Sequence, residues 1–193
     1  GLTVGYRELT MGLRGSQIHA LYLKQCRVPA SSRLGAEGAG LSIAERALPR
    51  FQLAIAAAAL GAAEAALQEG KQFATERKQF EAVIATKQAI RNYFADSIVE
   101  IESLRHLVSH TAWRMDADST TPSDLAAVKL QCARVARNVA NRMVQVHGGY
   151  GFSNEYAISR IYRDVRALDI IGGTNQLQQA TLAREFFKGA LVE

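Results

Sequence analysis

Cysteine is nearly absent from this sequence. Cys26 and Cys132 are the only two in 193 residues, and they form neither a disulfide framework nor a metal-ligand spacing. Two isolated thiols fit a reducing, cytoplasmic setting. Aromatic residues are also scarce, at 7%. With alanine abundant, that argues for close-packed helices over an aromatic-rich sheet. The longest apolar run, from Leu53 to Leu67, is alanine-rich and broken by Glu64. It is shorter than the roughly 20 residues a membrane span needs, so no membrane is expected. The N-terminus lacks the charged-then-apolar pattern of a signal peptide. Basic residues exceed acidic ones, giving a net charge of +5. No patch interleaves aromatics with basic residues, so no nucleic acid is expected. The charge fits a polyanionic small ligand such as a nucleotide, and equally an ordinary spread of surface lysine and arginine.

What the chain does have is helical periodicity. Residues 1 to about 31 stand apart. "GLRGS" reads as a turn, and "QIHALYLKQCRVPAS" alternates between glycine and proline boundaries, as strands do. From "LGAEGAGL" onward the pattern is helical. Leu53, Ala57, Leu60, Glu64 and Leu67 share one stripe of a long helix reaching about Lys78. A second carries Ile90, Phe94, Ile98, Ile101, Val108, Ala112 and Met115. A third starts with Thr121 as cap, Pro122 in the first turn and Asp124 at the positive helix end. Its buried stripe is Val128, Cys132, Val135, Val139, Met143 and Val146. It ends at "HGGYG", where Gly148 or Gly149 takes a left-handed turn. A short helix over Tyr156 to Val165 and a last one over about Asn175 to Phe187 follow. The expected fold is therefore mainly α: an antiparallel four-helix bundle preceded by a few strands of an incomplete β-domain. The boundary falls at residue 34, with 1–34 the β remnant and 35–193 the bundle. So short a β piece is marginal alone, which suggests a fragment of a longer chain.

Few motifs carry chemistry by themselves. His106 and His110 lie four apart on the second helix, but no third ligand accompanies them, and no metal is expected. In "TERKQF", Arg77 and Lys78 complement the end of a helix dipole; a phosphate clamp beside Phe80 is the other reading. "QVHGGYGF" ends a helix, whereas phosphate loops open one. "GGTNQ" precedes a helix: Thr174 can cap it while free backbone N–H groups face outward.

Taken in order, these segments resemble the C-terminal half of the acyl-CoA dehydrogenase family of flavoproteins. "MGLRGS…LYLKQCRVPASSRLGAEGAGL" is similar to the end of the family's middle β-domain. "ERKQF", "KQAI", "QVHGGYGF…EY", "YRD.R" and "IIGGTNQLQ" follow at family-like distances. The resemblance implies a four-helix bundle in a homotetramer or heterotetramer, with FAD between the β-domain, the bundle and a neighbouring subunit. It implies that Arg77, Lys78, Gln79 and Phe80 reach a neighbour's FAD, with a guanidinium suited to its pyrophosphate. Glu81 stands where the family usually has glycine. Lys87 and Gln88 match a second FAD contact. Gln145 to Gly149, including Gly148, match the loop packed on the adenosine part, and Thr174, Asn175 and Gln176 match the stretch at the flavin. Pro49, Arg50, Phe51 and Gln52 match a helix start lining the acyl-thioester site, with Gly173 beside it; Ile171 replaces a frequent aromatic. The implied partners are an acyl-CoA substrate and an electron-transfer flavoprotein.

The implied reaction is α,β-dehydrogenation, which needs a carboxylate to take the α-proton. One family position for that glutamate is Gly172 here, and the other is Phe51, with Gln52 in place of the arginine that follows it. Glu45 lies six residues before Phe51 and substitutes only under a register shift. Three readings stay open: a dehydrogenase whose base comes from elsewhere, a base-less subunit of a hetero-oligomeric acyl-CoA dehydrogenase, or a family-fold flavin monooxygenase.

Overall fold

The computed structural model describes residues 1–190. Strands β1 (Leu2–Arg7) and β2 (His19–Leu23) form an antiparallel hairpin, in register from Leu2 opposite Leu23. Helix α1 (Gly40–Glu76) follows, then a small hairpin of β3 (Lys78–Gln79) and β4 (Ala82–Val83). Helices α2 (Gln88–Asp116), α3 (Pro122–His147), α4 (Ala157–Arg166) and α5 (Asn175–Phe186) complete the chain. Helix α3 is the axis of the bundle and packs against each of the other four. This is the expected bundle with a strand-bearing N-terminal segment.

The stripe expected on α3 is the one that is buried: Val128, Cys132, Val135, Val139, Met143 and Val146 all lie inside. Its start is also as read. Thr121 Oγ1 accepts from the Asp124 N–H, and Asp124 Oδ2 accepts from the Thr121 N–H at 2.8 Å. Burial pushes the Asp124 carboxyl up, but these Thr121 bonds and the Arg114 guanidinium outweigh it and hold it below its ordinary value.

Helix α1 differs from expectation in two ways. It begins at Gly40, so Pro49 to Gln52 lie within the helix and do not start it. Its buried face is Gln52, Ile55, Ala56, Ala59, Ala63, Ala66, Gly70 and Ala74, while Leu53, Leu60, Glu64 and Leu67 sit half-buried on the flank and Ala57 is exposed. The reason is steric. Small residues let the α1 and α3 backbones approach, and bulky leucines fit only beside the seam. By length and composition α1 could cross a membrane; here its small-residue face packs on α3. On α2, Ile101 is buried and Ile90, Phe94, Val108, Ala112 and Met115 are half-buried, but Ile98 is exposed because the outer side of α2 has no cover among the described residues.

Gly70 marks the closest approach. A Cβ there would lie 2.2 Å from Met143 Sδ. Gly70→Val should cost about 1–3 kcal/mol by overpacking. In a double-mutant cycle with Met143→Ala, measured by denaturant unfolding, the two changes should be non-additive by about 1 kcal/mol or more. Additivity would remove the close seam.

Candidate functional site

One end of the seam opens into a groove of about 790 Å3. The last turn of α1 supplies Phe73 and Arg77, the β3–β4 hairpin Gln79 and Phe80, the approach to α2 Lys87, and the end of α3 His147 to Tyr150. The chain turns sharply out of α1: the Arg77 N–H donates to the Phe73 carbonyl, and the Ile84 N–H to the Arg77 carbonyl, both at 2.9 Å. That places the hairpin beside the end of α3. The Arg77 guanidinium stands 5.3 Å from the centroid of Tyr150, a cation–π contact that fixes its direction. His147 is buried and stacks on Phe73 at 4.3 Å. Its Nδ1 lies 2.7 Å from the Met143 carbonyl, which can only accept, so in the neutral ring that nitrogen carries the proton. Tyr156 closes the cluster edge-on.

The glycines of the groove have different reasons to be glycine. Gly148 has φ +58°, which side chains resist, so the positive φ expected here falls on Gly148, though its ψ of −134° is not the left-handed helical value. Gly149 has no such φ, and a Cβ on it would meet nothing within 4 Å. Its bare backbone faces open space in the groove, as a close-lying ligand requires.

The second corner lies at the other end of α1. The turn after α4 reaches Gly172 (φ +69°) and Gly173 (φ +98°), then enters α5. Gln52 Nε2 donates to the Gly172 carbonyl at 2.8 Å, and Gln178 Nε2 donates to the Gly173 carbonyl at 3.3 Å. Thr174 Oγ1 caps α5 by accepting from the Leu177 N–H, as expected. Asn175 turns its side chain inward: Oδ1 accepts from buried Lys129 Nζ at 3.3 Å, and Nδ2 donates to Asp169 Oδ1 at 2.5 Å. What Asn175 has left for a ligand is its backbone N–H, unpaired in the first turn of a helix. Gln176 is exposed. A Cβ on Gly172 would meet Ile55 at 2.6 Å, then Gln52 and Phe51, none of them a carboxylate. Nearby Asp169 is engaged by Arg137 at 2.7 Å and Arg166 at 2.9 Å.

Of the residues read from the sequence, Arg77, Gln79, Phe80, Lys87, Gly148 and Gly149 gather in the groove. Lys78, Gln88 and Gln145 are exposed and do not line it. Phe51, Gln52, Gly172 and Gly173 meet at the glycine turn, while Arg50 and Glu45 are exposed on the same helix and Pro49 is half-buried. Glu45 is six residues from Phe51 on a continuous helix, hence about 9 Å along the axis and roughly 120° around it, and does not take Phe51's place. Sequence reading missed the Phe73–His147–Tyr150–Tyr156 cluster, Gln178, and the Lys129–Asn175–Asp169 chain. A histidine before a glycine pair and a lysine inside an apolar stripe were the available signals. Among the described residues no three metal-ligating side chains come together; His110 stacks on Trp113.

The helical bundle carries a cationic groove at one end of its central seam and a glycine turn at the other. Residues 38–187 match the model of the acyl-CoA dehydrogenase C-terminal domain, and the chain belongs to that family. It is 37% identical over 188 residues to an acryloyl-CoA reductase (NADH) of Anaerotignum propionicum, covering 97% of this chain and 48% of the relative. It is 34% identical over 188 residues to the caffeyl-CoA reductase–Etf complex subunit CarC of Acetobacterium woodii, covering 97% and 50%. Butyryl-CoA dehydrogenase from Megasphaera elsdenii has the same fold, with a TM-score of 0.93 at 35% identity over 97% of this chain and 49% of that one. The chain spans about half the length of the curated relatives it matches. PigA, which shares the fold with a TM-score of 0.89 at 25% identity over 96% of this chain and 49% of that one, was solved with proline and FAD. The groove fits FAD: a guanidinium and an ammonium for the diphosphate, bare backbone at Gly149, and aromatic faces for a ring.

The hairpin tip puts two non-glycine residues at positive φ, Phe80 at +53° and Glu81 at +61°. A two-residue turn of this kind favours glycine at its second position. Glu81→Gly should raise stability by roughly 0.5–1 kcal/mol, the left-handed strain relieved less the added unfolded-state freedom. Thermal unfolding measures it; a fall would mean that the Glu81 side chain holds the turn.

Proposed function

We propose that this chain is the cofactor-carrying half of an FAD-dependent acyl-CoA dehydrogenase that oxidises an acyl-CoA thioester across its α,β bond. One observation carries the reading: Arg77, Gln79, Phe80, Lys87, Gly148 and Gly149, drawn from four separate segments, converge on one groove. FAD, when bound, supplies the acceptor for the substrate's β-hydrogen, and a carboxylate from outside Gly172 and Phe51 takes the α-proton. Arg77 and Lys87 hold the diphosphate, and Gly149 lets it approach the backbone. At the other corner the helix start at Thr174 offers unpaired N–H groups. Phe51 and Ile171 make that corner apolar, with Phe51 half-exposed at its rim.

The two corners also support an assembly of several copies. Gln52 and Phe73 lie on one helix, twenty-one residues or about 30 Å apart. One extended dinucleotide does not span that distance, so the corners of one chain serve two FAD molecules. An electron-transfer flavoprotein is the proposed electron acceptor.

A specific observation favours a second reading, a base-less subunit in a hetero-oligomer. The space at Gly172 is filled by Ile55 and its carbonyl is held by Gln52, so this corner is neutral and closed.

Two experiments bear on these readings. Gly149→Ala should leave unfolding temperature unchanged or slightly raised, since its Cβ meets nothing, yet weaken FAD binding; Arg77→Ala should weaken it about tenfold or more. Fluorescence titration of the full-length protein reads both, and unchanged affinity in both variants removes the groove as the FAD site. Anaerobic addition of acyl-CoA to the FAD-loaded full-length protein should bleach the flavin. No bleaching across chain lengths points to the base-less subunit, in which case Phe51→Glu should restore bleaching. Gly172→Glu is the poorer restoration, because Ile55 and the φ of +69° oppose any side chain there. Oxygen consumption driven by reduced flavin would indicate a monooxygenase instead.

A further inference from the structure

Lys129 is the largest fully buried side chain among the described residues, at 0% exposure in the first third of α3. An ammonium there is costly, because desolvation works against the charged form. Burial pushes its basicity down, opposed by nearby Cys132 and Asp169. An apolar residue of the same length would fill the space more favourably, so packing does not explain a lysine. Its one hydrogen bond does: Nζ donates to Asn175 Oδ1.

Asn175 passes that tie on. Its Nδ2 donates to Asp169 Oδ1, and Asp169 Oδ2 accepts from Arg137 of α3 and Arg166 of α4. Asp169 and Asn175 stand on either side of the glycine turn, and their bond closes the loop between them. Inside it, Gly172 and Gly173 have positive φ and no side chain to hold them in place, so the turn keeps its shape only if its ends are fixed. Gln52 and Gln178 hold its carbonyls from above; Lys129 ties its base to the central helix.

We propose that Lys129 is a positioning residue that sets the geometry of the Gly172–Thr174 turn through Asn175 and Asp169. This rests on the reading of that turn as the flavin-facing corner. Lys129 serves the turn's shape rather than the stability of the core.

The test uses the full-length protein with Lys129→Met, a substitution of similar length without the donor, and Asn175→Leu, which cuts the same tie without touching α3. Hydrogen–deuterium exchange on the FAD-free proteins is the first measurement. The Ile170 and Ile171 amides, hydrogen-bonded to the Ala167 carbonyl, should exchange at least tenfold faster in both variants while the rest of α3 stays near wild type. The unfolding temperature should hold in Lys129→Met and fall in Asn175→Leu, which leaves the buried Lys129 ammonium without its partner. With FAD loaded, the visible flavin spectrum should shift, and kcat with acyl-CoA should fall about tenfold with KM nearly unchanged. Wild-type exchange at Ile170 and Ile171 in both variants overturns the proposal. So does a loss of unfolding temperature in Lys129→Met with exchange raised evenly along α3 and α5, which would make Lys129 a packing residue. If the wild-type flavin is not bleached by acyl-CoA, the dehydrogenase reading fails, and the exchange result still decides the role of Lys129.

Discussion

The close contact between α1 and α3 is the constraint on which the rest of the molecule depends. Ala56, Ala59, Ala63, Ala66 and Gly70 carry almost no side chain into the seam. Two long helices can therefore lie against each other along most of their length. Everything with a chemical use sits at one end or the other of that contact. At the C-terminal end of α1, the seam brings Arg77 and the β3–β4 hairpin against the last turn of α3. Toward its N-terminal end, it brings Gln52 and Ile55 against the glycine turn before α5.

The ends have different characters. The groove is cationic and aromatic, with bare backbone at Gly149, and it reads as a place for a phosphorylated ligand. The glycine turn is neutral and tightly held by amides: Gln52 and Gln178 on its carbonyls, Asn175 beneath. No carboxylate stands at Gly172, and Ile55 occupies the space a side chain there would need. Phe51, half-exposed on the same helix, is the position where a side chain could be changed without repacking the core.

Much of this was legible in the sequence. The α3 stripe, its Thr121–Asp124 cap and the Gly148 turn follow from local rules of periodicity and capping. The ordered motifs marked Arg77, Gln79, Phe80, Lys87, Gly148 and Gly149, which line the groove, along with Lys78, Gln88 and Gln145, which do not. What was not legible depends on distance across the fold. Alanines carry little hydrophobic signal, so the leucines of α1 seemed to mark its buried face, when the closeness of the seam pushes them aside. Asn175 had the appearance of a ligand contact, because nothing in the sequence joins it to Lys129, forty-six positions earlier. The two-residue hairpin at Phe80 and Glu81 was hidden because neither residue favours the left-handed turn it adopts.

The central claim is that the seam places two half-sites on one chain, each serving a different FAD. A crystal structure of the full-length, FAD-loaded protein tests it most directly. The account predicts that every FAD touches two chains, one through Arg77 to Phe80 and Gly148–Gly149, the other through Gly172 to Gln176. An FAD contacted by both segments of the same chain, or by neither, would contradict it.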